Sequence, residues 1–295
     1  MSEELRYESH PVLERPVLIA AFRGWNDGGQ GASLAGAYLA RAWAAREFAT
    51  IDPEGFYDFQ ATRPMVSLVD GEARRVDWPE NSFLHAPLPG AGRDAIIMLG
   101  VEPNLRWRTF SDLIAGVAHE QRVELVLTLG SLLADVPHTR SAPVTGSATD
   151  PSLIEELGLQ ASRYEGPTGI VGVLHDACAR AGLKSASLWA AVPHYVSLTP
   201  SPRAAKALVD RLADLLGADV DTSELEEAAD AYTQQVSEAV ATDEETAAYV
   251  QELERRADEL AEQDLPSGDA LAAELTRYLR ERERGDSGDD VAREQ

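Results

Sequence analysis

Pro16-Val17-Leu18-Ile19-Ala20-Ala21-Phe22 runs directly into Arg23-Gly24-Trp25-Asn26-Asp27-Gly28-Gly29-Gln30-Gly31. The first seven residues are apolar at every position, so neither face of a strand built from them can meet water. A strand that needs cover on both faces is a central strand of a parallel sheet. The second segment is polar and glycine-rich, and it opens an alanine-rich stretch, read as a helix, that reaches about Arg46. A strand, a tight turn and a helix in that order begin a β-α-β unit.

The pattern repeats along the chain. Residues 95–100, 123–129 and 185–192 are further apolar runs read as strands. Residues 109–120, 168–181 and 202–216 read as helices, the last with Pro202 in its first turn, where a missing N–H costs least. The expected fold is therefore a three-layer α/β/α domain with a mostly parallel sheet. Residues 65–76 carry Asp70-Gly71 between two short runs, a hairpin signal, so the sheet is expected to be mixed.

Charge marks a second region. Of the net charge of −24 over 295 residues, −17 falls after Gly217, where 24 acidic residues face 7 basic ones. Leu225, Ala229, Tyr232, Val236 and Ala239, then Val250, Leu253, Ala257 and Leu260, follow helical spacing. The expected organisation is an α/β core over 1–217 and an acidic helical extension over 218–282, its last short helix at 269–282. A disordered tail is expected over 283–295. The helical seams are narrow and need a partner surface, in this chain or in another copy.

Composition excludes several functions. The acidic balance argues against nucleic acid and anionic membrane as partners. No run approaches the ~18 apolar residues of a membrane span. The N-terminus is acidic without an apolar signal segment, and Cys178 is the single cysteine, so a cytoplasmic protein without an internal disulfide is expected. The six histidines, His10, His85, His119, His138, His175 and His194, show no metal-binding spacing. No metal and no cofactor is expected.

What remains are loops at strand ends, where α/β proteins place binding and catalysis. Trp25, Asn26 and Asp27 precede a helix but fit neither dinucleotide nor P-loop spacing. Asn26 or Asp27 either caps that helix or faces a ligand. In Glu102-Pro103-Asn104-Leu105-Arg106-Trp107, Glu102 and Arg106 either pair with each other or face a ligand, and Trp107 can cover a pocket. Asp135, His138, Arg140 and Thr145 form the most catalytic-looking stretch, yet nearby Ser131 lacks a nucleophile elbow. Glu165 and Thr168 precede a helix that either could cap. Phe56 and Tyr57 read as aromatics for packing on a neighbour.

Jointly, Phe22-Arg23-Gly24-Trp25-Asn26-Asp27, Glu102–Trp107, Leu133–Arg140, Tyr164–Gly169 and Val192-Pro193-His194-Tyr195 resemble the actinobacterial-type branch of the proteasome assembly chaperone 2 family, over about residues 10–260. The excess of arginine over lysine fits such a source. The resemblance implies a phosphorylase- or hydrolase-like α/β/α core with a helical C-terminal portion. It also implies homo-oligomers, trimers among them, and proteasome subunits as partners. It carries no catalytic residues. Relatives dock through tails ending hydrophobic-Tyr-any, whereas this sequence ends Val291-Ala292-Arg293-Glu294-Gln295. Two readings follow: a non-enzymatic, self-associating assembly protein, or a small-ligand binder or enzyme. The second requires Asn26, Asp27, Glu102, Arg106, Asp135, His138 and Arg140 to converge on one pocket.

Overall fold

The computed structural model describes residues 4–69, 73–148, 150–161, 164–196 and 200–264. The chain divides into two compact units, residues 1–247 and 248–295. The strands are β1 (Leu5–Tyr7), β2 (Val17–Arg23), β3 (Arg46–Ile51), β4 (Met65–Val69), β5 (Ala73–Asp77), β6 (Ser82–Leu88), β7 (Arg93–Val101), β8 (Leu125–Ala134), β9 (Val144–Ala148), β10 (Gln160–Ala161) and β11 (Ser185–Pro193). The helices of the first unit are α1 (Gly31–Ala42), α2 (Trp107–Glu120), α3 (Pro151–Glu156), α4 (Ile170–Arg180), α5 (Pro202–Leu216) and α6 (Ser223–Val240). Helix α7 (Glu244–Asp264) begins before the division and holds the described residues of the second unit.

Nine strands form one sheet in the order β1-β3-β6-β7-β2-β8-β11-β9-β10. Its four central strands, β7, β2, β8 and β11, are mutually parallel. Side chains alternate along β2, as a doubly covered strand requires. Val17, Ile19 and Ala21 pack with α1 and α5 through Ala35, Leu39, Ala204 and Leu208. Leu18, Ala20 and Phe22 pack with α2 and α4 through Phe110, Ile114, Ile170 and Leu174. This is the expected α/β/α sandwich.

The sheet is mixed for another reason than the hairpin. Strands β1, β3 and β6 add antiparallel on one side, and β9 runs antiparallel to β11 on the other. The hairpin β4–β5 stands as a separate two-stranded sheet, with its turn residues outside the described part.

Helix α1 ends at Ala42, earlier than its alanine content suggests, because the chain turns at Trp43 and Ala44 (φ +50°) and enters β3. Phe56 and Tyr57 are buried in the chain's own core, so they offer nothing to a neighbour. Gly217, with φ +62°, closes α5 where the composition shifts. Helix α6 nevertheless belongs to the first unit. Leu225 joins the core, Tyr38 Oη donates to the Asp221 carbonyl at 2.7 Å, and Arg41 pairs with Glu224. Within the second unit Arg255 bridges Glu252 and Glu259 along α7. The expected helix over 269–282 and the tail from 283 lie outside the described residues.

Candidate functional site

At the C-terminal ends of β2 and β8 the sheet opens into a cleft of about 680 Å³, within the range of small-molecule sites. The loop 24–28 forms its rim, zipped to β8 by Ser131 N–H donating to the Asn26 carbonyl at 2.9 Å. Trp25, 65% exposed, stands at the mouth with exposed Leu132, Leu133 and Tyr164. Helix α4 supplies a wall through Val171, Gly172 and His175, and β9 and β11 supply the floor.

The loop is held by two carboxylates. Asp27 Oδ1 accepts from Ala32 N at 2.9 Å and Ser33 N at 3.1 Å, and Oδ2 accepts from Ser33 Oγ at 2.5 Å. Ser131 Oγ also donates to Oδ1, at 3.4 Å. Asp27 therefore caps α1, with three bonds on Oδ1 and one on Oδ2. Burial lifts its pKa, and the bonds from Ser33, Ala32 and Ser131 oppose that rise.

Glu102 is the second clasp. Its Oε2 accepts from Trp25 N at 3.0 Å; its Oε1 accepts from Ile170 N at 2.8 Å and Asn26 Nδ2 at 3.3 Å. It thus joins the β2 loop to the first turn of α4. A Cβ on Gly24, whose φ is +140°, would stand 2.7 Å from Glu102 Cβ, so this close approach requires glycine. The expected cap from Thr168 or Glu165 is not used. Gly169 is the N-cap without a side-chain bond, and the carboxylate of Glu102 serves instead.

The floor shows a local change in chemistry. On the α2/α4 side of β2 and β7 the side chains are apolar, Leu18, Ala20, Phe22, Ile96 and Met98. On the same side of β11 and β9 they become Ser187 and Trp189 opposite Ser147 and Thr145. The Ser147 and Ser187 hydroxyls bond at 2.9 Å. His175 is held at both nitrogens, by Thr128 Oγ1 at 3.0 Å and Ser185 Oγ at 2.9 Å, and burial pushes its pKa down to about 4. It is uncharged at neutral pH.

Trp189 lies over Gly130, its parallel-strand partner; a Cβ there would come within 2.4 Å of the indole. Gly130→Ala is expected to cost about 2 kcal/mol by forcing the ring away. Replacing Trp189 by Leu in that background should recover part of the loss, as read by urea unfolding of the four chains in a double-mutant cycle.

The structure brings together Trp25, Asn26, Asp27, Thr145 and Thr168 around the cleft, with Glu102 behind its rim. The other expected residues lie elsewhere. Arg106 does not pair with Glu102; it bridges to Glu4 at 2.7 Å and lies over Phe56 at 5.1 Å. Trp107 is the first residue of α2 and packs on the core. Glu165 is exposed. Asp135 meets His194 at 3.1 Å on the surface. His138 is buried between Tyr195 Oη at 2.8 Å and Ser237 Oγ of α6 at 2.9 Å. Arg140 contacts Thr139 and, through its carbonyl, Arg203. The set needed for a catalytic pocket is thus split, and its members are engaged in structural bonds. Among the described residues no cluster of three or more His, Cys, Asp or Glu could hold a metal ion, and no helix is long and apolar enough to cross a membrane. Sequence reasoning missed Ser147, Ser187 and Trp189. The alternation Ser185-Ala186-Ser187-Leu188-Trp189 was the available signal.

The PAC2 family model matches residues 21–240. A crystal structure of a PAC2 family protein from Streptomyces avermitilis is 46% identical, covering 80% of this chain and 99% of that one, with a TM-score of 0.74. A proteasome-assembly chaperone homologue from Mycobacterium tuberculosis is also 46% identical, covering 79% and 99%, with a TM-score of 0.72. Pyrococcus furiosus PbaA, an archaeal homologue of proteasome-assembly chaperone, is 23% identical over 79% and 94%, with a TM-score of 0.57, a likeness of fold alone. No curated protein matches the chain.

Proposed function

The chain belongs to the PAC2 family, and from that premise we propose that it is a non-enzymatic, self-associating assembly protein whose partners are proteasome subunits. The likeness to a proteasome-assembly chaperone homologue supports the class of partner. The observation that carries the reading is the hairpin β4–β5. Val66 pairs directly with Val76, and Leu68 lies on the same face opposite Arg74. The three apolar residues are exposed, at 61%, 48% and 63%. The opposite face carries Met65, 68% exposed, beside a polar set in which Ser67 Oγ donates to Asp77 at 2.8 Å and Arg75 pairs with the same carboxylate.

A two-stranded hairpin is marginal in water without a surface to pack on. Exposed Met65, Val66, Leu68 and Val76 on such an element fit a protein partner. The acidic chain would favour a basic partner surface and faster encounter at low salt.

The test is Val66→Asp with Leu68→Asp. Neither residue is part of the core, so the circular dichroism spectrum should be unchanged. Capture of the host's proteasome subunits by the purified full chain should weaken about 10- to 100-fold. Equal capture by a folded variant would remove the hairpin from the account.

A further inference from the structure

We propose that the cleft between α4 and the β9–β11 floor binds a neutral, polyhydroxylated ring, a sugar either free or carried by a nucleoside. This site is separate from the hairpin and does not rest on the assembly role.

A sheet face awaiting a helix would be apolar, as it is on β2 and β7 beside this cleft. Here the inward positions of two paired strands are Thr145, Ser147, Ser187 and Trp189. Each hydroxyl both donates and accepts, and so matches the hydroxyls of a sugar, which do the same. The Ser147–Ser187 bond leaves each oxygen with capacity for a further partner. The indole offers a flat apolar surface for the C–H face of a ring, and its contact with Gly130 fixes its position.

The charge of the described lining residues favours a neutral ligand. No lysine or arginine is among the described lining residues, so none of these would neutralise a phosphate or carboxylate. Asp27, the one carboxylate among the described lining residues, is tied to α1 and Ser131 by four hydrogen bonds. His175 has both nitrogens engaged. The cleft volume of about 680 Å³ admits a disaccharide or a nucleoside.

The experiment is calorimetric titration of the full chain with methyl α-glucopyranoside, maltose, adenosine and uridine. Glucose 6-phosphate and adenosine monophosphate are the charged counterparts. At least one neutral compound should bind saturably, and its phosphorylated counterpart should bind at least about tenfold more weakly. Response to the sugars alone would identify a free saccharide, and response to the nucleosides alone a nucleoside. Thr145→Val, at an exposed position that leaves the fold intact, and Ser187→Ala should each weaken binding about fivefold. Absence of saturable binding by every neutral compound up to ~10 mM would overturn the proposal. So would equal or tighter binding of the phosphorylated forms, or binding unchanged in both variants.

Discussion

Glu102→Ala is expected to lower the unfolding free energy by about 3–4 kcal/mol, the sum of three charge-assisted hydrogen bonds at about 1–1.5 kcal/mol each. The side chain touches three separate pieces of chain: the Trp25 amide, the Asn26 carboxamide and the first amide of α4. Alanine leaves these donors to water or to nothing. Gln is a sharper probe. Its single oxygen can still accept from Ile170 N, but its NH₂ cannot accept from Trp25 N. Glu102→Gln should therefore lose roughly half as much. Urea unfolding gives the free energies. Hydrogen exchange should locate the loosening at residues 24–28 and at the start of α4, with the centre of β2 unaffected. A loss below about 1 kcal/mol for the alanine variant would mean that the loop is held by other contacts.

The second large effect is a pH dependence centred on His175. Burial lowers its pKa from 6.5 to about 4, so the native state binds this proton less readily than the unfolded chain. Its contribution to stability is complete above pH 6.5 and is lost as pH falls towards 4. Each pH unit is worth about 1.4 kcal/mol, so the loss by pH 4 is about 3 kcal/mol. Asp27 acts in the opposite sense. Its pKa is raised by burial, so the native state holds its proton more tightly, and its contribution is greatest below the ordinary carboxylate range. His175→Gln should remove the His175 part, flattening the stability profile between pH 7 and pH 4 by about 3 kcal/mol while leaving the Asp27 part in place. An unchanged profile would mean that the imidazole is wetter than its two hydroxyl partners imply.

The four central strands were legible as runs dominated by apolar residues, and β2 is apolar on both faces. The strands that were not legible share a different feature. Arg46-Glu47-Phe48-Ala49-Thr50-Ile51 begins with two charges, and Ser82–Leu88 contains Pro87 and His85. Their burial comes from pairing at the side of the sheet, which local sequence does not reveal. Val144-Thr145-Gly146-Ser147-Ala148 looks like loop because its polar residues face the cleft while Ala148 packs in the core. That polarity was itself the sign of a site. Asp27 and Glu102 were legible as important, but the role of Glu102 in capping a helix 68 residues away depends on the parallel alignment of the sheet. His138 and Asp135 look catalytic in one dimension. In three, His138 secures α6 to the core and Asp135 meets His194 at the surface.

These placements favour a protein that binds proteins. The most direct measurement is light scattering on size-exclusion chromatography of the full chain alone and mixed with its host's proteasome subunits. A mass above that of the 31.9 kDa monomer is expected for the chain alone. A new co-eluting species is expected in the mixture, one that the Val66→Asp, Leu68→Asp chain does not form. A folded monomer that elutes separately from every subunit would contradict both.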